Sequence, residues 1–485
     1  MEAVAGEFKE KRWLALVLLC SAQFVVVLDA SIVNVALPTI GKALDFSQEN
    51  LPWVVNAYVL TFGGFLLLGG RTADLVGRRK VFMAGLLLVA VASLAAGFSA
   101  TEGQLIVARA AQGLGAAIIS PAALSIVTTT FSDGAERNKA LGVWGAVAGS
   151  GGAAGVLLGG ILTDGLGWEW VLWVNVPVSL IAFALSPRLI AESRMEGEKR
   201  VFDVTGAVTV TAALSILVYA LVDANSAGWG STQTIGLIAL SVLLMAAFVA
   251  IELRASKPLV PFSIFRIRTL TGANVVGLLV GASLFSMFFF ISLYMQQVLG
   301  YSAIHAGLSY LPLALVIMAS AGIASQLVTK IGYKPVLAIG LLFIVVGLAW
   351  FSRVSVGGGF TTDILGPSLF AAAGLGFAFV TTTIAAVSGV DENEAGLASG
   401  LINTSQQIGG ALGLAVLSAV AISATSNAAS TGSGQLSALT DGFQAAFLGG
   451  AAIAALGFVL TLVLIRGSDS RAHMELGAEG TTEAA

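Results

Sequence analysis

The chain has 485 residues, of which 57% are hydrophobic and only 11% are charged. Soluble domains carry about 25% charged residues, so this composition excludes an ordinary soluble protein and indicates a membrane protein. The net charge of −3 gives no reason to expect a nucleic-acid partner, and the single cysteine, Cys20, excludes an intramolecular disulfide and a cysteine-based metal site.

Fourteen apolar segments follow one another along the chain, and each is long enough to cross a bilayer with some tilt. They lie at roughly 13–37, 51–70, 81–99, 104–130, 140–162, 167–187, 204–222, 233–253, 270–296, 303–328, 334–351, 364–388, 396–424 and 442–465. No linker between them is long enough for a soluble domain. The sequence therefore predicts an all-α integral membrane protein with fourteen transmembrane helices.

The distribution of Lys and Arg predicts the orientation of these helices. All but three of the 24 Lys and Arg residues lie in loops or termini on one side. The exceptions are Lys42 and Arg353, in outer loops, and Arg109, inside a span. Because positively charged loops stay in the cytoplasm, we expect a multi-pass protein of the cell membrane with both termini cytoplasmic.

An internal repeat relates the two ends of the chain. Residues 76–87 match 331–342, and the Gly-Leu-Gly at 113–115 matches the one at 374–376. These matches imply two six-helix halves, spans 1–6 and spans 9–14, with spans 7 and 8 inserted between them. We therefore predict a first six-helix bundle, an inserted helix pair with its linkers, a second six-helix bundle and a disordered cytoplasmic tail. Their boundaries are 1–192, 193–266, 267–466 and 467–485.

The loop between the second and third spans combines several cations with one acid. Its distinctive residues are Gly70, Asp74, Gly77, Arg78 and Arg79. The cations suit a cytoplasmic loop, and the glycines suit a tight turn and a close approach of helices. An ordinary positively charged loop is the alternative, but the acid among cations indicates a specific pairing partner. We expect this loop to gate the cytoplasmic side.

Two ionisable residues, Asp29 and Arg109, lie inside apolar spans. Such embedded groups are costly and often relay protons. At 1.5 Å per residue, Asp29 lies roughly 13 Å below the outer end of the first span, and Arg109 roughly 8 Å below that of the fourth. We therefore expect the two to interact, directly or through water, with Asp29 binding the proton and Arg109 as its movable counter-charge. A static ion pair that only fixes helix register is the alternative.

Small residues on the fifth span indicate close helix packing. Gly151, Gly155 and Gly159 recur at every fourth position and so form one ridge, against which another helix can approach closely.

Polar and aromatic side chains in spans 2, 9 and 13 are candidates for lining a substrate cavity. Three amides of span 13 share one helix face, at positions i, i+3 and i+4. Hydrogen bonding between helices is the alternative for the amides, and packing is the alternative for the aromatic residues. The candidates are Asn56, Tyr58, Phe285, Phe289, Asn403, Gln406 and Gln407.

These motifs resemble those of the major facilitator superfamily. The loop is similar to the family's signature of Gly, Ala-Asp-Arg and Gly-Arg-Arg/Lys, although Thr72 and Leu75 replace the usual Leu and Arg. The first span resembles that of the fourteen-span drug:proton antiporter branch through Leu28, Asp29, Asn34, Ala36, Leu37 and Pro38. The fourth span resembles a superfamily signature whose arginine is implicated in proton transfer, through Arg109, Gln112, Gly113 and Gly115.

The resemblance implies a facilitator-type transporter of 6 + 2 + 6 helices that exports small amphipathic drugs or antibiotics in exchange for protons by alternating access. It implies a proton gradient as the energy source, with no cofactor and no metal. It also implies that Asp74 meets the N-terminus of span 13 near Ala395. The branch places proline after the middle glycine of the ridge, where this chain has Val156, so a proline kink is not expected there.

Two other functions remain as alternatives. A proton symporter or facilitator could import a small metabolite on the same fold. A membrane-embedded enzyme would need clustered catalytic side chains, but the two histidines, His305 and His473, lie far apart in the chain. We therefore predict that the protein is not an enzyme.

The substrate is expected to be neutral or weakly charged and amphipathic. Spans 2, 9, 10 and 13 contain no acid in their apolar interiors, and holding a cation in a low-dielectric cavity requires an embedded carboxylate. The expected partners are therefore this small molecule, protons and the lipid bilayer, with the protein acting as a monomer.

Overall fold

Helices make up the regular structure. The computed structural model describes residues 11–46, 50–51, 53–131, 134–193, 203–255, 258–391, 394–467 and 470. In chain order, the helices α1 to α14 span Arg12–Ala43, Trp53–Val76, Arg78–Gly97, Glu102–Thr130, Ala135–Gly165, Trp170–Leu189, Val204–Ala227, Thr232–Glu252, Arg268–Val298, Ile304–Ile331, Tyr333–Phe351, Phe360–Val387, Ala395–Ser430 and Gln435–Leu464. These described ranges contain no strand. The tail predicted to be disordered lies almost wholly outside them.

Twelve of the helices in the described ranges are long and apolar enough to cross a membrane. The other two helices differ from these in shape or in apolar length. Helix α5 bends by 43° between Ala135–Gly152 and Ala154–Gly165, and the apolar part of α7, Thr205–Leu221, is short. The bend of α5 falls in a Gly-Ser-Gly-Gly run, so glycine supplies the kink in a helix that lacks the branch's proline. The chain is a multi-pass membrane protein.

The two halves of the chain repeat the same helix pairs. In the first half α1 packs on α5, α2 on α4, and α3 on both α4 and α6. In the second half α9 packs on α13, α10 on α12, and α11 on both α12 and α14. Each pair therefore recurs eight helices later, which is the architecture of a duplicated six-helix unit. The domain boundaries stay a prediction.

The inserted pair lies across one seam between the halves. The halves meet mainly where α2 packs on α13 and α5 on α10, and α7 contacts both α2 and α13. On α2, Gly64 lies directly against Ser215 of α7, and Trp53 stacks on Tyr219 with 5.6 Å between ring centroids. Helix α7 therefore packs against both halves on this side.

The glycine ridge of α5 lies against α1. A Cβ at Gly151 would lie 2.9 Å from the side chain of Val27, and one at Gly159 would lie 2.7 Å from the carbonyl oxygen of Ile32. Between them, a Cβ at Gly155 would overlap Ser31. The absence of side chains lets α1, which carries Asp29, pack closely on α5.

Replacement of Gly159 by alanine should destabilise the fold, because its Cβ would meet a backbone oxygen that no side-chain rotation can move. Overpacking of this kind costs about 1–3 kcal/mol. The matched control is Gly165→Ala at the end of the same helix, where no atom lies within 4 Å of an added Cβ. Thermal unfolding in detergent measures both. Equal melting temperatures for the two variants would contradict the packing of α5 on α1.

Candidate functional site

Asp29 of α1 and Arg109 of α4 form a buried ion pair. Arg109 Nη1 donates to Asp29 Oδ2 at 2.6 Å, and Arg109 Nη2 lies 3.4 Å from the Asp29 carbonyl oxygen. Asp29 is 2% exposed and Arg109 is fully buried. The direct contact expected from their similar depths is therefore present. Their role in proton coupling stays a prediction.

The guanidinium of Arg109 is also held by uncharged partners. Its Nε donates to the carbonyl oxygen of Val54 at 2.9 Å, and its Nη1 donates to Gln112 Oε1 at 2.9 Å. Its Cζ lies 4.5 Å from the ring centroid of Tyr58, a cation–π contact. The cation therefore keeps several partners on α2 and α4 even when its contact with Asp29 is broken.

Asn175 and Gln112 complete the carboxylate's partners. Asn175 Nδ2 donates to Asp29 Oδ1 at 2.6 Å, and Gln112 Nε2 lies 3.3 Å from the same oxygen. Gln112 Nε2 also donates to Ser93 at 2.7 Å. Neither Asn175 nor Ser93 was predicted from the sequence as a site residue. Asn175 could have been noticed as an amide within the apolar run of α6.

Tyr58, predicted to line a substrate cavity, belongs to this network, and its role in a cavity stays a prediction. The residue is 1% exposed, because its ring lies against Arg109 and its hydroxyl donates to the carbonyl oxygen of Val26 at 2.9 Å. It links α2 to α1 and α4 around the ion pair. An aromatic ring next to an embedded cation is favourable because the face of the ring attracts the cation.

Asp74 connects the two halves of the protein. It is fully buried, and its Oδ1 and Oδ2 accept the backbone N–H groups of Gly396 and Leu397 at 3.1 and 3.0 Å. Arg78 donates to Oδ1 through Nε and Nη2 at 3.1 and 2.9 Å. The carboxylate therefore lies at the positive N-terminus of α13, which stabilises its negative charge. The contact near Ala395 that the family resemblance implied is present.

Gly70 allows this close approach. A Cβ there would lie 2.5 Å from the carbonyl oxygen of Gly396, so a side chain would push α2 away from α13. The seam of α5 and α10 is closed at the same end of the bundle, where Asn138 Nδ2 donates to Thr329 Oγ1 at 3.0 Å. Thr329 is the repeat counterpart of Asp74, so a neutral hydrogen bond occupies the equivalent contact. Both seams between the halves are closed at this end.

The segment that follows α6 holds the loop in place. Arg78 N donates to the carbonyl oxygen of Ser193 at 2.9 Å, and Arg79 N donates to Glu192 Oε1 at 3.1 Å. Arg79 Nη1 also donates to the carbonyl oxygen of Ile190 at 3.0 Å. Gly77 precedes them with φ of 127°, a conformation that favours glycine. The first N–H groups of α3 are thus satisfied by the linker to the inserted pair.

The remaining cavity candidates differ in exposure and in hydrogen bonding. Asn403 accepts from Ser120 of α4 at 3.3 Å, so it connects helices as the alternative reading allowed. Gln406 is 7% exposed, and its Nε2 has no hydrogen-bond partner. Phe285 and Phe289 are 38% and 41% exposed on α9. Asn56 and Gln407 are half-buried.

Known proteins resemble this chain along most of its length. The model of the Major Facilitator Superfamily matches residues 19–414. The cephamycin export protein CmcT of Amycolatopsis lactamdurans is 41% identical over 415 residues, which is 85% of this chain and 85% of that protein. The puromycin resistance protein pur8 of Streptomyces alboniger is 39% identical over 418 residues, covering 86% and 83%.

The fold is also that of a solved transporter. The human organic anion transporter MFSD10 superposes with a TM-score of 0.66 at 15% sequence identity, over 93% of this chain and 99% of that one. Together with the family match and the curated relatives, this places the chain in a family of membrane transporters. The chain belongs to the Major Facilitator Superfamily.

Proposed function

We propose that this protein is a proton-coupled antiporter that exports small amphipathic compounds by alternating access. The observation that carries the proposal is the fully buried Asp29–Arg109 ion pair between α1 and α4. Buried pairs of this kind contribute little net stability, whereas embedded ionisable groups commonly serve proton transfer. The names of its relatives, a cephamycin export protein and a puromycin resistance protein, support export as the direction of transport.

The coupling follows from the hydrogen bonds of Asp29. As a carboxylate it accepts from Arg109, Asn175 and Gln112, and these three donors favour its charged form over its protonated form. Protonation also removes the charge that attracts the guanidinium, which then relies on its contacts with Val54 and Tyr58. Gain or loss of one proton therefore changes how tightly α1 is bound to α4.

Asp74 serves as the latch of the cytoplasmic side in this proposal. With the loop rich in Lys and Arg placed in the cytoplasm, both seams are closed at that end and the structure corresponds to the outward-facing state. Asn34, five residues outward from Asp29 on α1, is exposed, which supports access to the pair from outside. Opening of the inward-facing state requires Asp74 to leave the N-terminus of α13.

We further propose fourteen transmembrane helices, with both termini cytoplasmic, and a monomeric transporter. The two helices beyond the twelve are α5 and α7. Despite its bend α5 packs along α1 and α10, and α7 has 24 residues, about 36 Å at the rise of an α-helix. An even number of crossings keeps both termini on one side, in agreement with the charge distribution.

The substrate is proposed to be neutral or weakly charged. Asp29 is occupied by Arg109, and Asp74 is occupied by Arg78 and α13, so neither is free to neutralise a cationic drug. The amide of Gln406 has an unpartnered Nε2 that can donate to a substrate oxygen. Import by symport is the rival function, and the direction of proton flow distinguishes it from export.

Asp29→Asn should abolish proton-coupled transport while leaving the protein folded, because the amide cannot bind and release a proton. In proteoliposomes, substrate added to the wild type should release protons, whereas the variant should give the signal of empty vesicles. Asp223→Asn is the control, since Asp223 is bonded only to the exposed Gln233 in the described residues. Proton-dependent efflux by Asp29→Asn would refute the role of Asp29, and proton uptake by the wild type would indicate symport.

Asp74→Asn should shift the protein toward its inward-facing state. The amide loses the charge that binds Arg78 and the N-terminus of α13, and a charged hydrogen bond contributes about 1.5–3 kcal/mol, so the population ratio should change roughly 10- to 150-fold. Accessibility of single cysteines introduced on the two sides measures this ratio. Asp45→Asn in an outer loop is the control. An unchanged ratio and unchanged turnover would contradict the latch.

Cells that express the protein should resist neutral or zwitterionic antibiotics more strongly than dicationic biocides, because Asp29 and Asp74 are paired with Arg109 and Arg78 and are not free to bind a dication. Inhibitory concentrations for compounds of similar size, with and without the gene, measure the difference. The Asp29→Asn variant serves as the inactive control. Strong resistance to a dication, without resistance to neutral compounds, would contradict the proposed substrate class.

A further inference from the structure

Two carboxylates lie close together where α7 begins and α8 ends, at the same end of the bundle as Asp74. Asp203 is the N-cap of α7, and its Oδ1 accepts the backbone N–H of Gly206 at 2.8 Å. Glu252 is the last residue of α8, and its Oε2 accepts the backbone N–H of Val260 at 3.1 Å. Each carboxylate therefore uses one oxygen to bind a backbone donor.

The second oxygen of each carboxylate has no donor. Asp203 Oδ2 and Glu252 Oε1 are both buried and without a hydrogen-bond partner, and Glu252 is only 3% exposed. A Cβ at Gly206 would touch both of these oxygens, so they lie within about 5 Å of each other. Two acceptors thus face each other across a gap that no donor of the described residues fills.

Two charged carboxylates cannot remain in this arrangement at low cost. Like charges at short range in a poorly solvated site repel each other, and the C-terminus of α8 adds a further negative partial charge at Glu252. One proton removes the conflict, because the protonated group becomes a donor to the other carboxylate. We propose that Asp203 and Glu252 share one exchangeable proton, forming a protonation site on the inserted helices that is separate from Asp29.

A metal ion explains the site less well. Magnesium and calcium take six or more oxygen ligands, whereas this gap offers two carboxylate oxygens that are free in the described residues. Among those residues no group of three or more acidic, histidine or cysteine side chains could hold a metal. The ligand is therefore a proton taken from the aqueous phase on that side.

Among the residues that the structure describes, the charged groups of the neighbouring elements provide no counter-ion for the pair. From α2, Arg71 Nη2 lies 3.4 Å from the carbonyl oxygen of Pro258 and does not reach the carboxylates. Glu394, which precedes α13, interacts electrostatically with Arg71. The described cations after α8 and before or at the start of α9 are exposed. They are Arg254, Arg266 and Arg268.

The pair is placed to influence the latch. The segment from Pro258 to Val260 is bound on one side by Arg71, one turn from Asp74 on α2, and on the other by Glu252. Leu259 of this segment packs in one apolar cluster with Leu67 of α2 and Leu397 of α13. Loss of the shared proton would drive the carboxylates apart and shift this segment against the two helices that form the latch.

Infrared difference spectroscopy tests the shared proton directly. Full-length protein in lipid nanodiscs, with Asp29→Asn in the background to remove that carboxyl, is taken from neutral to alkaline pH, so that ordinary carboxyls, with pKa values of about 4, are ionised from the start. The carbonyl stretch of one protonated carboxyl should disappear. Asp203→Asn and Glu252→Gln should each abolish this band, and the double variant should lose no second one. The control, Asp223→Asn on the outer side of α7, should retain it.

Either of two results would overturn the proposal. One is a band that persists in both Asp203→Asn and Glu252→Gln. The other is its loss at constant pH on addition of magnesium or calcium, which would identify a cation site. Asparagine remains a good N-cap, so Asp203→Asn should fold even if Glu252→Gln does not. The readout is independent of transport, and its failure would leave the proposed export function untouched.

Discussion

The buried contact of Asp29 with Arg109 is the interaction on which the rest of the structure depends. A carboxylate and a guanidinium at 2.6 Å, away from water, are tolerable only if both are fully hydrogen-bonded. Asn175 and Gln112 donate to the carboxylate, and Val54 and Gln112 accept from the cation, which also lies against the Tyr58 ring. Four helices thus converge on one ion pair, and the glycines of α5 allow α1 to lie closely enough to carry it.

The contacts that close the proposed cytoplasmic side are few and polar. Asp74 meets two backbone N–H groups of α13, and Asn138 meets Thr329 across the other seam. Hydrogen bonds of this kind contribute about 1–3 kcal/mol each, which is small enough to be broken in every transport cycle. Weak polar contacts of this kind suit a protein that must alternate between two states.

Much of this could be predicted from the sequence because helix positions, charges and depths follow from the order of residues along each span. Asp29 and Arg109 pair as their depths suggest, and Asp74 reaches α13 as the family resemblance implied. The rotation of a helix about its axis and the identity of its neighbours are harder to predict from the sequence. The contact of Tyr58 with Arg109 and the contact of Asn175 with Asp29 were therefore missed, and the approach of Asp203 to Glu252, 49 positions later, could not be foreseen. The bend of α5 was not expected, because glycine replaces the usual proline in producing it.

Proton release on substrate binding by the purified transporter tests the central claim most directly. Calorimetric titrations with one substrate, in buffers of different ionisation enthalpy at the same pH, give the number of protons exchanged per substrate bound. If Asp29 gives up its proton when substrate binds, the wild type should release up to one proton per substrate, and Asp29→Asn should release none. Release that is the same in the variant, or absent from the wild type at every pH at which substrate binds, would contradict the account.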